Sequence, residues 1–261
     1  MKLFYKNNSV TSKANWVLDA FAKHDPYAKK CYQEETPLEL GVMWGLGSYN
    51  FSLAKKYSES TTPWLFTDMP YWNRWNGSNR DTCYWRVIPN SLHCNWITDF
   101  PDDRFKKTNL TVKDWKTQGD YILVCPSSTT LEHFYLESDW TKKTVAKLKE
   151  VTDRPIKIRY KPRANGTSGP MVANVSFEED CKNAWAVVTL ASLAGVEAAL
   201  LGTPVFCSNV SVCKQIACTD LSQIENPVRP NRAEWLNTLA YYQYTEDEIS
   251  KGIYTDIIKV K

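Results

Sequence analysis

Between residues 121 and 207 the chain alternates short apolar runs with short helical patterns, and this limits the possible folds more than any other feature. Tyr121-Ile-Leu-Val-Cys125, Pro155-Ile-Lys-Ile-Arg-Tyr160, Ala186-Val-Val-Thr-Leu190 and Pro204-Val-Phe-Cys207 read as strands. Between the first two, Ser138 or Asp139 is placed to cap a helix running to about Thr152, with Val145 and Leu148 on one face. Ser176, with Glu179 three residues later, makes a capping box that opens a short helix to about Asn183. A third helix covers Gly195 to Leu201. Strands joined through helices in this way build a parallel, Rossmann-like layer, here over about 120–225. Asn231 then caps a helix over 232–242, and Thr245-Glu-Asp-Glu248 opens a last one.

The first part of the chain carries one such unit. Gly41-Val-Met-Trp-Gly-Leu-Gly47 reads as a buried strand ending in glycines, followed by a helix over 49–58 and a strand, Pro63-Trp-Leu-Phe-Thr-Asp68. The segment 69–110 is rich in Trp, Asn, Pro and Asp and reads as loop, with a strand at Tyr84-Trp-Arg-Val-Ile88. The stretch 100–119 reads as a linker, which places a domain boundary at 115/116. The expected class is α/β, with two Rossmann-like halves, 1–115 and 116–261, and a cleft between them.

Composition narrows the function classes. A net charge of +3 permits an anionic partner without requiring one. The N-terminal MKLFYKNNSV has no apolar core of the signal-peptide kind, and no apolar run of 18 residues exists, so neither secretion nor membrane spanning is expected. Eight cysteines without a Cys-x-x-Cys pair, and three histidines (24, 93, 133) without ligand spacing, give no zinc pattern. The expectation is a cytoplasmic protein with reduced thiols, no metal and no glycans at its Asn-x-Ser/Thr matches such as Asn165-Gly-Thr. Its 11 Trp, 14 Tyr and 9 Phe either fill a core or line a sugar or base site.

In a doubly wound sheet the ligand lies beyond the carboxyl ends of the strands. Those ends offer Ser127 and Ser128, Arg159-Tyr-Lys161-Pro-Arg163, and Ser192 and Leu193 ahead of a helix. Hydroxyls, cations and a helix N-terminus together suit a diphosphate. Glu197, one turn into an otherwise Ala, Val and Leu helix, is placed to accept hydrogen bonds from ribose hydroxyls, whereas a Glu on a half-exposed helix face is the plain alternative.

The stretch TLASLAGVEAALLGTPVF resembles the nucleotide-sugar half of GT-B glycosyltransferases, and RYKPR is similar to the strand end that precedes it there. GVMWGLG, WLFTDMPYW, YWRVIPNSL and ENPVRPNRAEWLNTLAYYQYTEDEI resemble segments of phage-encoded proteins of that type, with Asp68-Met-Pro-Tyr71 where relatives often read Asp-His-Gly-Tyr. The resemblance implies a GT-B-like fold and transfer of a sugar from a UDP-sugar such as UDP-glucose, without a metal. It also implies that the first half binds the acceptor and the second binds the donor. Asp68 is then the candidate general base, with His93 and Asp99 behind it. Gly45 and Gly47 in the glycine-rich turn join the donor-binding set. The implied acceptor is 5-hydroxymethylcytosine in double-stranded phage DNA, for which Tyr71, Trp72, Arg74, Trp75 and Arg86 interleave rings with cations, helped by Arg80, Lys106, Lys107 and Lys113. A glycan acceptor, a silent nucleotide or DNA binder, and an aromatic loop packed on the core are the competing readings.

Overall fold

The structure, a computed structural model, describes residues 2–4, 12–31, 40–160 and 175–258. In chain order its elements are β1 (Lys2–Phe4), α1 (Ser12–His24), β2 (Lys29–Cys31), β3 (Gly41–Trp44), α2 (Ser48–Ser58), β4 (Trp64–Asp68), β5 (Trp85–Pro89) and α3 (Asp103–Lys106). There follow β6 (Tyr121–Val124), α4 (Thr129–Phe134), α5 (Trp140–Val151), β7 (Ile156–Ile158), α6 (Phe177–Lys182), β8 (Ala184–Thr189), α7 (Ala194–Leu200) and β9 (Val205–Cys207). The chain ends with α8 (Ala233–Tyr241), β10 (Gln243–Tyr244), α9 (Glu246–Ser250) and α10 (Thr255–Ile258).

The described residues divide into two compact units. The first holds those up to Cys94, Phe100–Thr108 and those from Leu236 on; the second holds Asn95–Asp99 and Asn109–Trp235. The stretch 100–119 is therefore not one linker, since its first nine residues pack in the first unit. Residues 236–258, which a single cut at 115/116 would leave with the second half, also belong to the first unit.

The first unit is built on a six-stranded sheet of order β10-β5-β4-β3-β1-β2. Strands β1 to β4 run parallel, while β5 and β10 add antiparallel ladders at one side. In β3 and β4 every residue but the last is buried, and β5 is buried throughout. These strands therefore read as continuous apolar runs rather than alternating ones. Helix α1 buries Ala14, Val17, Leu18 and Phe21 at helical spacing, and packs against α9. Tyr254 meets both Phe21 and His24 edge-on.

The C-terminal segment is bolted into this unit by Arg104 of α3. Its guanidinium donates to both carboxylate oxygens of Glu248, at 2.8 and 3.1 Å, and to the carbonyls of Ala240 and Gln243. Glu248 also closes the capping box with Thr245, so one carboxylate ends a helix and holds a cation.

The second unit is a four-stranded parallel sheet of order β7-β6-β8-β9. Ile122, Val124, Ala186, Val188 and Phe206 pack with Leu148 of α5 and with Ile224. The expected caps are mostly in place: Ser176 accepts from Glu179 N and Asn231 accepts from Ala233 N. The cap of α5 is a correction. Asp139 sits there in the left-handed region, φ +57°, and its side chain makes no capping hydrogen bond. Gly202, at φ +77°, turns the chain out of α7 where an added Cβ would overlap the carbonyl of Asp114.

Candidate functional site

In the second unit the chain runs from β6 outward to β7 and then back across to β8, so β6 and β8 flank the point where strand order reverses. The two loops leaving these strands are tied together. Thr189 Oγ1 donates to the carbonyl of Cys125 at 2.7 Å and accepts from Ser192 N at 3.1 Å. Ser127 Oγ accepts from Ala191 N at 3.1 Å, Ser128 Oγ from Leu131 N at 3.3 Å, and Ser192 Oγ from Ala194 N at 3.3 Å. Each of the three serines spends its hydroxyl as an acceptor on a backbone amide, which leaves its O–H as a donor. The carboxyl ends of β6 and β8 thus carry three hydroxyls with an O–H left to donate, on half-exposed or exposed residues.

Glu197 is half-buried on α7. Burial raises the thiols of Cys125 and Cys181, the latter up to about 12; nearby Glu197 adds a small push upward at both, while at Cys181 Lys116 and Thr203 pull the other way. Leu193 stands at the start of α7, its carbonyl receiving Val196 N and Glu197 N. The far end of α7 is held from behind. Arg232 donates to the carbonyls of Ala199 and Lys113 and lies 4.0 Å over the Trp115 ring, while Lys113 N bonds Leu200 O at 2.9 Å. A buried cation against the last carbonyls of a helix complements its dipole.

Of the expected cations, Arg159 is engaged in an ion pair with Asp180 and donates to Val175 O. Lys161 and Arg163 lie outside the described residues. A groove of about 730 Å³ lies elsewhere in this unit, between α4 and α5, with Ile158 and Tyr160 among its lining residues. Its lining carries Lys142 and Lys149 together with Glu132 and Asp139.

In the first unit Asp68 ends β4, directly across from Arg86 of β5. Its Oδ2 accepts from Arg86 Nη2 at 3.1 Å and its Oδ1 from Met69 N at 2.7 Å. Beside it, Gly45 N bonds Thr67 O at 2.9 Å, and Gly45 takes φ +61° with open space where a side chain would stand. Gly47 precedes α2 in an extended conformation. Arg86 is buried, and its Nη1 lies 3.2 Å from Nδ1 of His93, also buried. Burial first, and Arg86 second, hold the His93 imidazole well below its ordinary pKa. A guanidinium only donates, so Nδ1 accepts and the ring proton sits on Nε2. His93 stands behind Asp68 as a candidate base in the sequence, where no residue pattern signals its contact with Arg86.

The interleaved aromatic segment divides in two. Tyr71 and Trp72, expected as acceptor contacts on a loop, are core residues, and Arg86, on its expected strand, is buried too, which corrects the expectation that all three meet the acceptor from the surface. Tyr71 N donates to Gln243 Oε1 at 2.9 Å, and Trp72 meets Phe105 edge-on, which folds this part of the loop inward. Arg74 and Trp75 stay nearer the surface, Trp75 against Trp16 with Lys13 over its ring at 4.7 Å. Arg80 pairs with Glu246, Lys106 with Asp102, Lys107 with Asp103 and Lys113 with Glu178, so each of these cations already has a carboxylate. Asp99 is exposed in the second unit.

Among the described residues no helix is long and apolar enough to cross a membrane. No protein-family model matches the chain, and no curated protein matches it in sequence. Among solved structures it is similar to Thermosulfurimonas dismutans KpsC, beta Kdo 2,4 transferase, at 14% identity over 93% of this chain and 91% of that one, with a TM-score of 0.51. It also aligns with the beta Kdo 2,7 transferase of the same KpsC at 12% identity over 100% and 99%, with a TM-score of 0.48. At such identity the first likeness is one of fold. The mixed α/β chain with its parallel sheets shares the fold of that solved beta Kdo 2,4 transferase.

Proposed function

We propose that the protein is a glycosyltransferase that takes a sugar from a nucleotide sugar and passes it to an acceptor hydroxyl. The observation that carries this reading is the set of three serine donors, Ser127, Ser128 and Ser192, at the strand ends of the second unit. O–H groups at a switch point suit the oxygens of a diphosphate and stabilise the negative charge that grows on it as the sugar leaves. Glu197 receives the ribose hydroxyls, and Arg159, released from Asp180, balances the phosphate charge. In the first unit Asp68 takes the proton of the acceptor hydroxyl as the new glycosidic bond forms. Arg74 and Trp75 are the acceptor contacts that remain at the surface, while Gly45 and Gly47 stay in the donor-binding set, Gly45 with open space where a side chain would stand.

Two acceptor classes follow. The sequence resemblance to phage-encoded proteins supports UDP-glucose as donor and 5-hydroxymethylcytosine in DNA as acceptor, in the cytoplasm. The fold likeness to the KpsC beta Kdo 2,4 transferase, together with the burial of Tyr71, Trp72 and Arg86, favours a glycan acceptor. The test is titration of UDP, UDP-glucose and CMP, followed by transfer assays read by mass shift on hydroxymethylated DNA, plain DNA and oligosaccharides. A hexose added to digested nucleosides supports the DNA reading, and a lengthened oligosaccharide supports the glycan reading. Absence of nucleotide binding and of transfer in every arm removes the proposed function.

A further inference from the structure

We propose that Arg86 and His93 are positioning residues: the buried guanidinium, braced by the imidazole, fixes the plane of the Asp68 carboxylate at the end of β4. This rests on the reading of Asp68 as the group that faces the acceptor hydroxyl. The geometry begins with register. Asp68 and Arg86 are opposite each other in the antiparallel β4–β5 ladder, so backbone pairing alone brings their side chains together. Each carboxylate oxygen then receives one donor, Arg86 Nη2 on Oδ2 at 3.1 Å and Met69 N on Oδ1 at 2.7 Å. Two donors on two oxygens stop rotation about the carboxylate axis, and each oxygen keeps a further lone pair. The Asp68 side chain is 31% exposed whereas that of Arg86 is 5% exposed, so the acid reaches the outside and the cation does not.

The cation is itself held. Nη1 lies 3.2 Å from His93 Nδ1, and the guanidinium carbon lies 5.4 Å from the Phe66 ring centre. The turn carrying His93 is fastened by Ser91 Oγ, which donates to His93 O at 2.9 Å. On its other side Arg86 is the register partner of Gln243, and Val87 N bonds Tyr242 O at 2.9 Å, so the C-terminal strand buttresses β5. A buried pair of this kind adds little net stability over an apolar one, because desolvation offsets attraction. What it supplies is direction. Arg86 is therefore an interior support and not an acceptor contact.

The experiment compares His93→Leu and His93→Asn in the full chain, with donor affinity, kcat and KM measured for each. Asn offers an acceptor oxygen near the Nδ1 position, and Leu offers none. His93→Leu is expected to lower kcat by about 10²-fold, the scale of an ångström-sized displacement of a reacting group, with the nucleotide Kd unchanged. His93→Asn is expected to recover most of that loss. Unchanged kcat in His93→Leu overturns the inference, as does a parallel loss of kcat and nucleotide affinity. A second readout needs no turnover: nitrogen-15 NMR of the imidazole is expected to show an unprotonated Nδ1, with its signal displaced in Arg86→Lys. A protonated Nδ1, or a signal indifferent to Arg86→Lys, overturns the brace even in a protein that transfers no sugar, whereas failure of transfer alone removes only the proposed function.

Discussion

The Arg86 guanidinium donates to Asp68 at 3.1 Å from the neighbouring strand, and only the acid of this pair reaches solvent. Removing either partner thus has different consequences. Asp68→Asn keeps an acceptor oxygen for Arg86 and is expected to abolish transfer while leaving nucleotide affinity intact. Arg86→Met removes the buried cation and leaves a carboxylate that water still reaches, and is expected to cost about 1 kcal/mol of stability. Urea denaturation together with a transfer assay separates the two.

His93 gives stability a pH dependence of known sign. Its folded pKa lies well below that of the unfolded chain, where histidine titrates near ~6.5. Below that pH the unfolded chain binds a proton that the folded one refuses, so stability falls as pH drops and is fully present above it. Since carboxylates also titrate under acid, the relevant measurement is the difference between wild type and His93→Asn. As pH falls below about 6.5 the wild type is expected to lose stability more steeply than the variant.

Glu197→Ala is expected to weaken binding of the donor nucleotide by about 1–3 kcal/mol, the scale of a hydrogen bond to a charged group. Calorimetric titration reads this directly. Unchanged affinity would take Glu197 out of the site. Ser192→Ala, which also withdraws the acceptor for Ala194 N, is expected to weaken affinity for the diphosphate more than for the nucleoside.

Arg232 serves the same helix from its other end. Its contacts with Ala199 O and Lys113 O leave these carbonyls without their guanidinium donor in Arg232→Met, with an expected loss of about 2 kcal/mol. Thermal unfolding followed by circular dichroism checks it. A shift confined to nucleotide affinity, with unchanged melting, would mean that the residue acts on Glu197 alone.

Much of the second unit is legible from residues, because strands of a covered parallel sheet are apolar on both faces. Tyr121–Val124 and Ala186–Thr189 could be read for that reason. Strands β1 and β2, Lys-Leu-Phe and Lys-Lys-Cys, are three residues each and carry no such run; only pairing with β3 and with each other defines them. Helix α1 carries a periodic signal, apolar residues at 14, 17, 18 and 21, although it is absent from the helices expected from sequence. In the candidate site Asp68 was visible as a strand end and the serines as loop hydroxyls. The inward turn of Tyr71, Trp72 and Arg86 was not, since their partners Gln243, Phe105 and Asp68 are brought there only by tertiary pairing.

The interrupted make-up of the first unit also bears on how the chain is synthesised. Strand β10 and the Arg104–Glu248 clasp wait for residues 243–248, which leave the ribosome after the whole second unit has emerged. The open edge of β5 is an unpaired ladder until then, and unpaired ladders invite aggregation. The second unit, nearly continuous in sequence, is free to fold while the first is still incomplete, so a slow final phase is expected to be the docking of the last segment rather than the closure of either parallel sheet.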